Sequence, residues 1–327
     1  MNAILADTRT FNIGDFLQFN CVEKILENKF KCKVYPIHLK RSYDDINLDD
    51  YDIVVFYGSI LSRNSYPNEL KLASDLGTIK QKFMSLGCGY YGLSDMVATA
   101  TPDTLRFLYK LSEISAINCR GPFSEAFCTR NKIESKIFGD STYQGINNVR
   151  RFKVNDIKKI ALSTPIQDYI SMNQFLGISD IIEKCLPNSE IVISSHQGPT
   201  IRSKSLKDIR PKFTEKFFEN DLASYIKFYD DMDLHIGFRL HAHLYCMARG
   251  IPSIIITTDS RGIDSPLTNI GNRIMYGNNN WLDHLEYFLR FSLSCDFANY
   301  LKLDYEINNL RILQNSRIDE LYDIYNH

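Results

Sequence analysis

Arg239 and His241 stand two residues apart in the stretch Gly237-Phe238-Arg239-Leu240-His241. A guanidinium offers a planar fork of donors to a carboxylate or phosphate, and an imidazole exchanges protons near neutral pH. Together they make an anion site with a proton donor attached. The flanking residues say where the pair sits. Leu234 to Gly237 is a short apolar run, Leu240, Leu244, Met247 and Ala248 recur at helical spacing, and Gly250 and Pro252 close the pattern. That is strand, tight turn, helix, stop. The two side chains therefore lie at the carboxyl end of a strand and the amino end of a helix, where α/β folds bind anions.

Other strand ends carry further candidates. Arg120 follows a strand near Ala116–Asn118, with Ser124 three residues into the next helix. It is either a carboxylate or phosphate fork or an exposed partner of Glu125. After the first strand, Asn12, Gly14 and Asp15 open a helix with Asp15 as a good N-cap, or contact a ligand hydroxyl. Gly58 and Ser59 follow the third strand and Gly87 and Gly89 the fourth, where glycine lets a ligand or another backbone approach closely. No Gly-x-Gly-x-x-Gly fingerprint is present, which sets aside a dinucleotide enzyme. His196 follows a strand in Ser194-Ser195-His196. His241 and His243 diverge by about 160 degrees on a helix, so no metal site is expected. The basic run Arg202–Lys216 reads as a solvated loop; the alternatives are a flap over an anionic substrate or a contact with a charged membrane surface.

The elements that position these residues alternate along the chain. Strands are predicted at Asn2–Ala6, Lys33–Ile37, Asp52–Tyr57, Phe83–Leu86, Ala116–Asn118 and Lys136–Phe138, with helical patterns at Asp15–Glu27, Asn68–Lys80, Thr101–Leu111 and Gly121–Thr129. After a polar linker at Gly145–Asp156 the alternation restarts, at Lys159–Ser163, Glu190–Ser194, Leu234–Gly237, Ser253–Ile256 and Arg273–Met275. The fold class is α/β: two Rossmann-like doubly wound domains facing a cleft, residues 1–148 and 156–300, with a long C-terminal helix at 301–327 packing back on the body. A length of 327 residues suits two domains at roughly 150 residues each. A net charge of −1 gives no electrostatic case for nucleic acid. Eight cysteines without a Cys-x-x-Cys pair read as reduced thiols of a cytoplasmic protein. No secretory signal or membrane-spanning run is expected.

Taken in order, Asn12-Ile13-Gly14-Asp15, Gly58-Ser59-Ile60-Leu61, Leu86-Gly87-Cys88-Gly89, Arg120 with Ser124, Gly139-Asp140, Gly237-Phe238-Arg239-Leu240-His241 and Gly250-Ile251-Pro252 resemble the polysaccharide pyruvyl transferase family. The block from Gly237 is the specific one. At Gly58-Ser59 the chain departs from the fuller glycine run common in the family. The resemblance implies a GT-B-like architecture and phosphoenolpyruvate as donor, with no bound cofactor. It also implies a pyruvate ketal formed on two hydroxyls of a sugar or lipid-linked oligosaccharide, at the cytoplasm or the inner face of the membrane. Arg120 and Arg239 then hold the donor's phosphate and carboxylate, the Leu240 backbone adds a contact, and His241 is the general acid. Asn12, Gly14, Asp15, Gly58, Ser59, Gly87, Gly89 and His196 fall on the acceptor side or in the cleft, with Asp15 or His196 as the base. The competing readings are a GT-B glycosyltransferase using a nucleotide sugar, with Asp259 as its ribose-binding acid, and a degenerate member acting as a scaffold.

Overall fold

Continuous apolar runs bounded by turns mark strands covered on both faces, and strand Ile53–Gly58 is buried at every position. A computed structural model describes residues 1–7, 12–38, 50–61, 82–90, 100–146, 157–165, 170–196, 210, 213–218, 221–264, 273–277, 280–295 and 297–326, without the side chains of 82 and 298–304. Among these residues twelve strands pair in parallel as two sheets of six. The first sheet contains β1 (Asn2–Asp7), β2 (Lys33–His38), β3 (Ile53–Gly58), β4 (Lys82–Cys88), β5 (Ile117–Cys119) and β6 (Ser135–Ile137), in the order β2-β1-β3-β4-β5-β6. The second contains β7 (Lys159–Ser163), β8 (Glu190–Ser195), β9 (Thr214–Phe217), β10 (Leu234–Gly237), β11 (Ser253–Thr257) and β12 (Arg273–Met275), in the order β12-β11-β10-β7-β8-β9. Strand order reverses between β1 and β3 and again between β7 and β10. Crevices open at such switch points, and ligands of doubly wound folds bind there. Pro36, which has no amide to donate, lies on β2, an edge strand.

The connecting helices are α1 (Ile13–Asn28), α2 (Pro102–Ser112), α3 (Pro122–Arg130), α4 (Thr142–Gly145), α5 (Met172–Cys185), α6 (Leu222–Asp230), α7 (Leu240–Ala248), α8 (Trp281–Ser294) and α9 (Ala298–Asn326). Alternation sorts the first sheet's residues between two layers. Ile4, Ala6, Val54 and Phe56 face one core, and Ala3, Leu5, Ile53, Val55 and Tyr57 face the other. Helix α1 serves two cores, giving Val22, Ile25 and Leu26 to the first sheet and Ile13, Leu17 and Cys21 to the second half. Its amino end is thereby fixed where the halves meet. Helix α9 also bridges them: Ile307 and Leu310 join the second core, while Ile318, Leu321 and Tyr325 join the first. Arg317 Nε donates to Asn118 Oδ1 at 2.7 Å. Arg311 reaches the carbonyls of Tyr143, Ile146 and Ala248, tying α9 to the ends of both α4 and α7.

Several expectations need correcting. The N-cap of α1 is Asn12, whose Oδ1 accepts from Gly14 N at 3.2 Å; Asp15 sits inside the first turn. Part of the expected basic loop is the edge strand β9, whose polar Thr-Glu-Lys-Phe sequence suits a strand half in water. Helix α9 begins before 301. Of the expected linker, Gly145 closes α4 and Ile146 is core; residues 147–156 and the expected helix at 68–80 lie outside the described residues. No helix among the described residues is long and apolar enough to cross a membrane.

Candidate active site

The carboxyl ends of β7 and β10 meet at the second sheet's switch point, and Arg239 leaves from there. Gly237 turns the chain with φ +149°, and a Cβ on it would lie 2.4 Å from Ser163 Oγ and 2.5 Å from Ser163 O. Only glycine fits. Ser163 Oγ then accepts from Phe238 N at 3.0 Å and Arg239 N at 3.2 Å. The guanidinium is gripped by the same strand end, Nε donating to Thr164 O at 2.7 Å and Nη2 to Pro165 O at 3.2 Å. Arg239 is 3% exposed, and its Nη1 finds no partner among the described residues. Burial pushes its pKa down to about 10, which leaves it charged at neutral pH. Beside it the first amides of α7 have no intrahelical acceptor. The region is a buried cation at a helix amino end, with no carboxylate in ion-pair contact among the described residues.

His241 points from the first turn of α7 toward the first half of the chain. A Cβ on Gly14 would stand 2.7 Å from His241 Nδ1, so glycine at that position makes room for the imidazole. His241 Nε2 has no hydrogen-bond partner among the described residues. Burial lowers its pKa below 6.5, Asp140 and Asp15 oppose that, and Arg120 and Arg261 reinforce it. These groups thus share one electrostatic neighbourhood. His243 turns the other way, into the core, with Nδ1 2.7 Å from Ser253 Oγ.

Arg120 is 1% exposed and ion-paired with Asp140 rather than Glu125, Nε to Oδ2 3.0 Å. Asp140 is itself held by Thr142 N at 3.0 Å and Thr142 Oγ1 at 2.6 Å, with Gln18 Nε2 at 3.4 Å. The guanidinium lies on Gly89, where a Cβ would come within 2.8 Å of Nη1. From the second half Asp264 reaches the amino end of α3: its Oδ1 accepts from Ser124 N at 2.9 Å and its Oδ2 from Ser124 Oγ. Burial raises the Asp264 carboxyl, while Ser124 and Arg120 hold it down. A second tie, Ser260 Oγ to Tyr90 O at 3.1 Å, runs beside it.

The remaining candidates divide. Asn12, Gly14 and Asp15 lie at the amino end of α1, with Gly14 against His241 and Asp15 within electrostatic range of Arg239 and His241. Gly58 (φ +73°), Ser59 and Gly89 form one turn at the ends of β3 and β4, closed by Gly89 N donating to Gly58 O at 2.7 Å. Gly87 accommodates the backbone of Gly139, whose oxygen would be 2.9 Å from a Cβ. Leu240 is buried behind the site. His196 meets the site through its backbone, its carbonyl accepting from Ile13 N at 3.3 Å, and lies within electrostatic range of Arg239 and His241. Its ring packs among Phe218, Tyr225 and Tyr229, and Nε2 is 2.8 Å from Tyr229 Oη. Burial drives its pKa well below 6.5.

Three residues outside the expected site also shape it: Asp140 in its grip on Arg120, Ser163 and Asp264. Asp140 carried a signal, an acid after a strand in Gly139-Asp140. Ser163 ends a strand and could have been weighed with the other strand ends. Asp264 acts across the cleft, a pairing that no local pattern encodes.

The sequence matches the description polysaccharide pyruvyl transferase over residues 12–260, a span that includes Arg120, Asp140, Ser163, Arg239 and His241. The chain belongs to the polysaccharide pyruvyl transferase family. No curated protein matches it. Among solved structures this pyruvyl transferase family member is similar to S. aureus MnaA bound to UDP, at 11% identity, 92% of this chain, 90% of that one and a TM-score of 0.60. It is similar to a mutant of S. aureus TarM with fondaparinux, alpha-GlcNAc-glycerol and UDP, at 9% identity, 88% and 58% coverage and a TM-score of 0.54. It is also similar to an alpha-glucosyltransferase with UDP, at 12% identity, 100% and 99% coverage and a TM-score of 0.52. Likeness at such identities is one of fold, and the fold is the expected GT-B-like pair of doubly wound sheets.

Proposed function

We propose that this family member transfers the pyruvate unit of phosphoenolpyruvate to two hydroxyls of a sugar, in a polysaccharide or its lipid-linked precursor, and closes a ketal. The observation that carries the reading is the buried Arg239, two residues before His241; among the described residues Arg239 has no carboxylate in ion-pair contact and His241 Nε2 has no hydrogen-bond partner. A phosphoryl group suits that seat, where a guanidinium and free helix amides converge. Arg120 arrives with Asp140 attached, so it contributes directed hydrogen bonds to the donor carboxylate more than net charge. No bound cofactor or metal enters the reading. The reading assigns the acceptor to a unit at 1–148 and the donor to a unit at 156–300.

The chemistry runs in four moves. Protonated His241 gives its proton to the donor's methylene carbon, which becomes a methyl group, and C2 becomes oxocarbenium-like. One sugar hydroxyl attacks C2. The C2–O bond to phosphate then breaks, and the phosphate carries its electron pair away. The second hydroxyl attacks C2 and completes the ketal. Of the two hydroxyl protons, one restores His241 and one leaves with phosphate, so atoms and charge balance. Asp15, partly accessible at the amino end of α1, suits the base on the acceptor side better than His196, whose ring nitrogen is engaged in the aromatic core.

The nucleotide-sugar reading loses its ribose acid, because Asp259 binds Arg261 through both carboxylate oxygens. The test offers phosphoenolpyruvate and a panel of glycosides to the purified protein, following phosphate release and the ketal methyl signal by proton NMR. Both are expected together. Release of a nucleoside diphosphate from a nucleotide sugar, with no phosphate from phosphoenolpyruvate, sinks the proposal.

A further inference from the structure

His235 occupies the middle of β10, buried completely, in a strand whose faces are both covered. Such strands are normally apolar, so an imidazole there is a local inconsistency that calls for a reason. We propose that His235 is a positioning residue for the donor seat. It is the middle member of a one-way hydrogen-bond chain, Ser163 to His235 to Ser253, that locks the Ser163 hydroxyl under the Gly237–Arg239 turn.

The direction of the chain follows from counting donors and acceptors. A hydroxyl has one proton to give and two lone pairs. Both lone pairs of Ser163 Oγ are committed, to the amides of Phe238 and Arg239. Its proton therefore goes to the third neighbour, His235 Nε2, 2.9 Å away. With Nε2 accepting, neutral His235 carries its proton on Nδ1 and donates it to Ser253 Oγ at 2.7 Å. Ser253 Oγ also lies 2.7 Å from His243 Nδ1, a contact in which either atom can donate. The reverse direction fails: a proton on His235 Nε2 would confront Ser163 with three donors and displace one backbone amide. Charging His235 fails for the same reason, and burial pushes its pKa down to about 3. Among the described residues its ring is flanked by Ser163, Ser253 and the Tyr229 ring at 5.8 Å, with His243 beyond Ser253 and His196 within electrostatic range.

The mechanical consequence lies at Arg239. Its amide is held by the Ser163 hydroxyl, and its guanidinium by the carbonyls of Thr164 and Pro165. Freeing that hydroxyl to rotate loosens one of the two grips, and with it the origin of α7.

The first test is independent of any donor. In protein labelled with 15N-histidine, long-range proton–nitrogen correlation distinguishes the tautomers. His235 is expected neutral with its proton on Nδ1; a proton on its Nε2 overturns the chain. The second test rests on the pyruvyl transfer reading. His235→Phe removes the acceptor, and KM for phosphoenolpyruvate is expected to rise about tenfold, the effect of one misplaced buried hydrogen bond. His235→Gln, whose Oε1 can take the place of Nε2, is expected to recover most of that loss; a Gln variant as impaired as Phe counts against positioning. If the wild-type protein does not turn over phosphoenolpyruvate, the pyruvyl reading falls and the tautomer result alone decides the chain.

Discussion

At the scale of single residues, His241 is the most exacting part of the site. An acid works only in its protonated form, yet burial lowers the pKa of this imidazole in the free protein. A phosphate dianion bound alongside raises it again. The descending limb of kcat/KM, which reports the free protein, should therefore lie below pH 6.5, and that of kcat at higher pH. Coincident limbs would disprove this coupling. His241→Ala should cost roughly 10²–10⁴-fold in kcat, read by phosphate release. Gly14→Ala should lower both kcat and the melting temperature, because the added methyl would stand 2.7 Å from His241 Nδ1 and 2.9 Å from its Cβ, so that the buried side chain must shift. Arg239 and His241 were legible because residue type and spacing alone define an anion seat on a helix. The Arg120–Asp140 pair was not, because sheet register brings the ends of β5 and β6 together.

At the scale of elements, the turn from β10 into α7 is the most constrained. Gly237→Ala forces a Cβ onto the Ser163 backbone at a positive φ and should destabilise by about 2 kcal/mol or more, measured by urea unfolding. A neutral result would mean that the turn has another conformation. The central strands were readable as apolar runs, and most predicted boundaries fall within a residue or two of the observed ones. Strand β9 was hidden because an edge strand with polar residues has the composition of a loop. The cap of α1 was misassigned because Asn12 and Asp15 are both good capping residues, and only the backbone angles at Asn12 decide between them.

At the scale of the whole molecule, the second half buries three neutral imidazoles, His196, His235 and His243, each with a pKa well below its ordinary 6.5. The unfolded chain takes up protons at these positions near pH 6.5 and the folded chain does not. Stability is therefore intact above pH 6.5 and lost as pH falls, with a limiting slope of about 4 kcal/mol per pH unit. Urea midpoints measured between pH 7 and pH 5 should drop steeply; a flat profile would mean that the imidazoles are charged in the fold. Helix α9 has a different consequence, for the order in which the protein can be made. The layer beneath the first sheet contains Ala3 and Leu5 at one end of the chain and Ile318, Leu321 and Tyr325 at the other. A ribosome releases the first of these residues long before the last. The first half of the chain must therefore wait, with one face of its sheet covered by α1 but not yet by α9, until Ile318, Leu321 and Tyr325 have emerged.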